Sequence, residues 1–164
     1  METNKGLSRR QKGFSLIELL IVVGIILVIA AISVINFSRS RIAANESSAV
    51  ASVKVINTAQ IAYSASYPTA GYATNLGQLG PAPTGSAATS TTAGLLDDVL
   101  GCPNQPCQKS GYAFTIANAT IGNFQVTAVP TSPNNTGTRG FCADQLSTMT
   151  YDPNGGTNCT TPLQ

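Results

Sequence analysis

Glu18 is the residue of this chain whose position most needs a chemical explanation. It is the single ionisable side chain in a predominantly apolar run, residues 14–35. This run is longer than the roughly 20 residues that a helix needs to cross a bilayer. A carboxylate inside such a helix costs about 2.5–3.5 kcal/mol on insertion scales, so it usually has a charged partner and a function. Because the run contains no base, we expect the partner cation to come from elsewhere.

The residues around the start of this run form a recognisable motif. Residues 12–18 read Lys-Gly-Phe-Ser-Leu-Ile-Glu and resemble the processing site of type IV prepilins and type II secretion pseudopilins. The resemblance implies that a membrane prepilin peptidase cuts after Gly13 and then N-methylates the new first residue, Phe14. It also implies that Glu18 meets the N-terminal amine of a neighbouring subunit during filament assembly. Cleavage at Gly13 would create, at Phe14, the cation that Glu18 needs.

Two simpler interpretations of the apolar run explain less of it. A secretory signal has an apolar core of about 7–15 residues, whereas this run is longer and its best small-residue cleavage site, near Ala30, lies inside it. An ordinary membrane anchor explains the hydrophobicity but gives no reason for Glu18. The bases that precede the run predict an N-terminus that stays in the cytoplasm, with the rest of the chain exported.

Four cysteines lie in the C-terminal part of the chain: Cys102, Cys107, Cys142 and Cys159. An even number in an exported domain favours two disulfides, for which three pairings are possible. Proximity along the chain favours Cys102 with Cys107 and Cys142 with Cys159. A four-cysteine zinc site is the alternative, but the spacings C-x4-C and C-x16-C differ from paired C-x2-C knuckles.

Catalytic and metal-binding residues are scarce. The chain has no histidine, which excludes histidine-based triads and most catalytic zinc sites. Calcium takes six to eight oxygen ligands, and major pseudopilins bind it in the C-terminal part of their chains. The candidate ligands in this chain are Asp97, Asp98, Asp144, Asp152 and Asn154. Their spacing matches no loop motif, so solvated acids are the favoured interpretation. We predict no metal site, no cofactor and no enzyme activity.

The net charge of +2 is concentrated at the N-terminus. Residues 1–13 carry four of the nine bases and one of the seven acids, so the remainder has five bases against six acids. Without a basic patch outside this leader, nucleic-acid binding is not a favoured role. Residues 1–13 are predicted to be a leader peptide with no fold of their own.

A single long helix is predicted over residues 14–67, because this stretch has no proline and only one glycine. Residues 14–37 would form its transmembrane and assembly half, and residues 38–67 an amphipathic half. In the amphipathic half the apolar residues on one face are Ile42, Ala49, Val53, Ile56 and Tyr63. We expect this face to pack against the C-terminal part of the chain.

Residues 68–164 are predicted to form a globular head. Within it, residues 80–94 are low in complexity and rich in Gly, Pro, Ser and Thr, which predicts an exposed loop. Residues 95–100 are expected to form a short helical turn. Alternating apolar residues predict strands at 112–116, 124–129, 138–143 and 147–151. The predicted fold class is α+β, a long N-terminal α-helix packed against an antiparallel β-sheet head.

Together with the resemblance, these features predict a structural subunit of a type IV pilus-like filament. The precursor would span the inner membrane once, with its N-terminus in the cytoplasm, and the assembled subunit would lie in the periplasm or at the cell surface. The expected partners are the prepilin peptidase/N-methyltransferase, other copies of the chain, an assembly platform and the membrane. One alternative is a pseudopilin of a type II secretion system, whose short filament acts as a piston. Another is a minor tip pilin that acts as an adhesin or a DNA-uptake module.

Overall fold

The computed structural model describes residues 13–163, with the side chains of residues 33–36 excepted. Predictions about residues 1–12 of the leader therefore fall outside the described residues. The chain divides into two compact units, Met1–Phe37 and Ser38–Gln164. Helix α1, Leu16–Ser66, contributes its first part to one unit and its second part to the other.

The first unit presents an apolar helical surface. The side chains of residues 16–32 are exposed, and the most apolar window of α1 has a mean hydropathy of 3.0 with none of it buried. Leucine, isoleucine and valine left exposed in this way are stable only against lipid or another apolar surface. By length and composition, α1 is able to cross a membrane.

In the second unit, one face of α1 is part of the hydrophobic core. Ala49, Val53, Ile56 and Tyr63 are buried, as their spacing predicts, while Ile42 is partly exposed. They share one cluster with aromatic side chains of the sheet, among them Tyr112, Phe114, Phe124 and Phe141. Removing this apolar surface from water stabilises the unit by roughly 25 cal/mol per Å².

The sheet has six antiparallel strands that follow one another in chain order. They are β1 (Cys107–Lys109), β2 (Tyr112–Ala117), β3 (Gln125–Pro130), β4 (Gly140–Asp144), β5 (Met149–Asp152) and β6 (Thr161–Pro162). Along β2 buried and partly exposed residues alternate, because successive side chains of a strand point to opposite faces. The sequence predicted four of these strands; β1 and β6 are too short for an alternating pattern to be recognised. The α+β fold class is confirmed.

A short helix that the sequence did not predict lies between α1 and the sheet. This helix, α2 (Leu76–Leu79), is capped by Asn75, whose side chain accepts a hydrogen bond from the backbone N–H of Gln78 at 3.0 Å. Leu76 and Leu79 are fully buried. Since four residues are too few for an isolated helix to be stable, tertiary packing holds α2 in place. The low-complexity residues that follow it are mostly exposed, as predicted.

Two disulfides, Cys102–Cys107 and Cys142–Cys159, close loops in the second unit. The first ends at the start of β1, and the second joins β4 to the segment before β6. Among the described residues no cysteine is free. Closing the longer loop, with a sequence separation of 17, contributes about 3 kcal/mol in the chain-entropy model.

Candidate processing and assembly site

The peptide bond between Gly13 and Phe14 lies outside helix α1. Residues 13–15 are non-helical and exposed, and the Phe14 side chain is 81% exposed. A Cβ atom added to Gly13 would meet no atom of the described residues within 4 Å. The fold therefore leaves this bond accessible to a second protein and makes no packing demand on Gly13.

The side chain of Glu18 caps the start of α1. Its Oε2 accepts a hydrogen bond from the backbone N–H of Ser15 at 3.0 Å, and the carbonyl of Ser15 accepts one from the N–H of Leu19 at 3.2 Å. Ser15 thus occupies the N-cap position and Glu18 the third helical position, as in the glutamate half of a capping box. The Ser-x-x-Glu pattern is a sequence signal for this cap. Sequence reasoning considered only the charge of Glu18 and therefore did not predict the cap.

The cap offsets part of the cost of placing a carboxylate in an apolar segment. Backbone N–H groups at a helix start have no intrahelical acceptor and carry partial positive charge, so they favour an anion. Across residues 13–163 the structure shows no ion pair for Glu18. Neutralising the charge of Glu18 still needs a full cation. An amine on Phe14 would be one residue before Ser15, whose N–H Glu18 binds.

Beside the cap, the surface of α1 carries an apolar groove of about 400 Å³. Its lining residues are Leu16, Leu19, Leu20, Val23, Gly24 and Leu27. The space at Gly24 is unfilled, because a Cβ there would meet no atom within 4 Å. Small residues of this kind allow two helices to approach closely within a membrane.

A second carboxylate, Glu46, joins α1 to the β3–β4 connection inside the second unit. Its Oε1 accepts hydrogen bonds from the N–H and hydroxyl of Thr138, at 2.9 and 2.7 Å, and from the N–H of Arg139 at 3.2 Å. Its Oε2 accepts from Nε and Nη2 of Arg139, at 2.9 and 2.6 Å. The guanidinium of Arg139 also lies 5.6 Å from the ring centre of Phe141 and 5.5 Å from that of Tyr151.

The Glu46 contacts are structural in character. Burial favours the neutral form and would raise the pKa of Glu46, but the hydrogen bonds from Arg139 and Thr138 outweigh it and hold this pKa below its ordinary value. Sequence reasoning did not identify Glu46, although a signal was present. Glu46 lies three residues before Ala49 and seven before Val53, so the helical repeat places it on the buried face.

The aspartates considered as calcium ligands are mostly engaged by the fold. Asp97, Asp144 and Asp152 each accept hydrogen bonds from backbone N–H groups a few residues later in the chain. Asp98 accepts none from any described residue. Within residues 13–163 no group of three or more His, Cys, Asp or Glu residues is arranged to hold a metal ion.

The residues singled out from the sequence thus fall into separate groups. Gly13, Phe14 and Glu18 come together at the start of α1. The four cysteines form two pairs within the second unit.

Comparison with known proteins identifies the N-terminal group. Residues 8–34 match the family model described as the prokaryotic N-terminal methylation motif. This stretch includes Gly13, Phe14, Glu18 and the larger part of the apolar run. Searches of curated proteins and of solved structures found no match.

Proposed function

Because the chain carries the N-terminal methylation motif of type IV pilin-like precursors, we propose that it is a structural subunit of a type IV pilus-like filament. The apolar N-terminal helix anchors the precursor in the membrane. In the proposed sequence of events, prepilin peptidase cuts after Gly13 and methylates the amine of Phe14. The helices of successive subunits then bundle to form the filament core.

The observation that carries this proposal is the geometry at the start of α1. A peptidase needs an accessible, non-helical peptide bond, and the Gly13–Phe14 bond lies just ahead of the first helical residue. Glu18 lies in the first turn, where its carboxylate already binds the backbone N–H of Ser15. Cleavage would therefore release an amine close to a carboxylate that has a hydrogen bond but, among residues 13–163, no cation.

Assembly would be driven by the charge of Glu18, for which the described residues supply no cation, and by the exposed apolar surface of α1. In a low-dielectric setting the attraction between an amine and a carboxylate is strong, provided that both are desolvated together. Pairing within one subunit would neutralise Glu18 but would create no force between subunits. Pairing of the new amine of Phe14 with Glu18 of an older subunit would neutralise Glu18 and also attract the two subunits to each other. The exposed apolar face of α1 would pack against the older subunit at the same time.

The second unit would form the filament surface on the outer side of the membrane. Its two disulfides suit an oxidising compartment. A filament surface needs a head attached firmly to α1, and the core that helix and sheet share provides this attachment. We propose no catalytic role for it.

The test of this proposal is mass spectrometry of the mature protein from its native membrane. The expected N-terminus is N-methylated Phe14. An N-terminus at Met1, or a cut beyond Ala30, would overturn the proposal. Deletion of the gene then distinguishes a pilus from a secretion pseudopilus. Loss of surface filaments indicates a pilus, whereas loss of protein export indicates a secretion pseudopilus.

A further inference from the structure

A cleft of about 1000 Å³ lies in the second unit between α2 and residues 81–92. Its polar lining consists of amide and hydroxyl side chains with one carboxylate, that of Asp98. Three prolines, Pro81, Pro83 and Pro103, supply apolar ring surface. The volume is at the upper end of what small-molecule sites occupy, roughly 300–1,000 Å³.

The walls of this cleft are fixed by backbone contacts. After the loop, the N–H of Ala93 donates to the carbonyl of Gln78 at 2.8 Å, and the N–H of Gly94 donates to the carbonyl of Gly80 at 2.8 Å. On the other side Gly80 and Gly101 touch, so that a Cβ on either would collide with the backbone of the other. The loop is thus low in complexity but anchored at its end, and the cleft is formed before any ligand binds.

Several polar groups of the lining have no partner among the described residues, and one of them is the Nδ2 amide of Asn75. The others include the carboxylate of Asp98, the Nε2 amide of Gln78 and the hydroxyl of Thr84. The neighbouring groups are engaged: Oε1 of Gln78 accepts from the N–H of Thr74 at 2.7 Å, and Asp97 accepts from the N–H of Leu100 at 2.9 Å. Asp98 is therefore the head aspartate whose carboxylate is free to bind a ligand.

These free groups define the chemistry of the ligand. A carboxylate accepts hydrogen bonds from two adjacent hydroxyls, an amide NH₂ donates two, and a threonine hydroxyl does either. The lining contains no Lys or Arg, so an anion would find no cationic partner and would be repelled by Asp98. Proline rings offer an apolar surface to the C–H face of a sugar ring.

We propose that this cleft binds a neutral saccharide, with Asp98 and Gln78 as its principal hydrogen-bonding groups. A peptide fits the lining less well, because peptides are recognised along a sheet edge, in an apolar helix groove or between aromatic side chains. The proposal goes beyond the filament role and does not depend on it, since binding is measured on unassembled protein.

The experiment is saturation-transfer NMR on the full chain in a phosphocholine detergent, which has no sugar head group. The probes are glucose, galactose, mannose and N-acetylglucosamine, together with a linear trisaccharide of each. At least one probe should receive saturation from the protein. Asp98→Asn should weaken its binding about tenfold, because hydrogen bonds to a charged acceptor become bonds to a neutral one.

Two further variants make the test specific. Gln78→Glu keeps the Oε1 that accepts from Thr74 but removes the amide donor, so it should also weaken binding. Asp97→Asn removes the same charge one residue away and retains the oxygen that accepts from Leu100, so it should bind as the wild type does. The proposal is overturned if no probe binds, if Asp98→Asn binds normally, or if Asp97→Asn loses as much affinity as Asp98→Asn. Binding of a proline-rich control peptide in place of every sugar would overturn it as well.

Discussion

The carboxylate of Glu18 accepts a hydrogen bond from the backbone N–H of Ser15, 3.0 Å away, at the start of α1. This contact gives Glu18 a local role in addition to the role that its charge implies. The helix begins at Leu16, two residues after Phe14, so the Gly13–Phe14 bond lies outside it. The two roles are separable, because a capping box accepts either Glu or Gln at this position.

Glu18→Gln and Glu18→Ala should both be inserted and cleaved, and both should fail to enter filaments. The glutamine keeps the cap but loses the charge, whereas the alanine loses both, so a shared defect would identify charge as the cause. The measurement compares the processed subunit in membranes with that in sheared filaments, and the filament fraction should fall at least about tenfold, a change of roughly 1.4 kcal/mol or more. If Glu18→Gln cells formed normal filaments, the charge of Glu18 would not be needed for assembly, and capping of α1 would be its remaining role.

The long elements of the fold were predictable because their patterns repeat many times. The helical stripe from Ala49 to Tyr63 and the alternation in β2 each fix a buried face. The short elements were not predictable in this way, because α2 and β1 are held by contacts with distant parts of the chain rather than by local propensity.

At the candidate site, the residue types were recognisable but their partners were not. Glu18 was identified through its charge, while its bond to Ser15 depends on where the helix begins. The pairing of Glu46 with Arg139 joins residues 93 positions apart. Such a contact is set by the tertiary fold, and the sequence offers only the hint that an acid lies on the buried face of α1.

Gly13→Leu should block processing without disturbing the fold. A Cβ atom at Gly13 would meet no atom of the described residues within 4 Å, so we expect the effect to arise at the peptidase. Gly24→Leu is the matched control, since its Cβ also meets nothing in the isolated chain. Intact mass measurement should find the Gly13→Leu protein as the uncut precursor and the Gly24→Leu protein cut at Phe14. Cleavage of Gly13→Leu at the normal rate would argue against recognition of this junction.

The exported protein should contain no free thiol, with Cys142 joined to Cys159. Replacing both of these cysteines by serine should lower the free energy of unfolding by about 3 kcal/mol, since the unfolded chain regains the freedom of the open loop. Peptide mapping without reduction tests the pairing, and chemical unfolding of the full chain in detergent tests the energy. Alkylation of all four cysteines before reduction would contradict the prediction.

Glu46 should make the stability of the second unit depend on pH on the acid side. Its pKa in the folded state lies below the ordinary value of 4.5, so its contribution is complete above about pH 4.5 and is lost as the pH falls through the lower, folded-state pKa. Glu46→Gln should lower the free energy of unfolding by about 2 kcal/mol near neutral pH, because bonds to a charged group become bonds to a neutral one.

The deficit of Glu46→Gln should shrink as the medium becomes acidic, since the wild-type carboxylate is then protonated too. Near-UV circular dichroism of the tyrosines follows unfolding of the full chain in detergent across this range. Asp98→Asn is the control, because Asp98 is exposed and accepts no hydrogen bond from any described residue, and it should follow the wild type at every pH. If wild type and Glu46→Gln lose stability in parallel on acidification, the Glu46–Arg139 pair is not the source of the acid sensitivity.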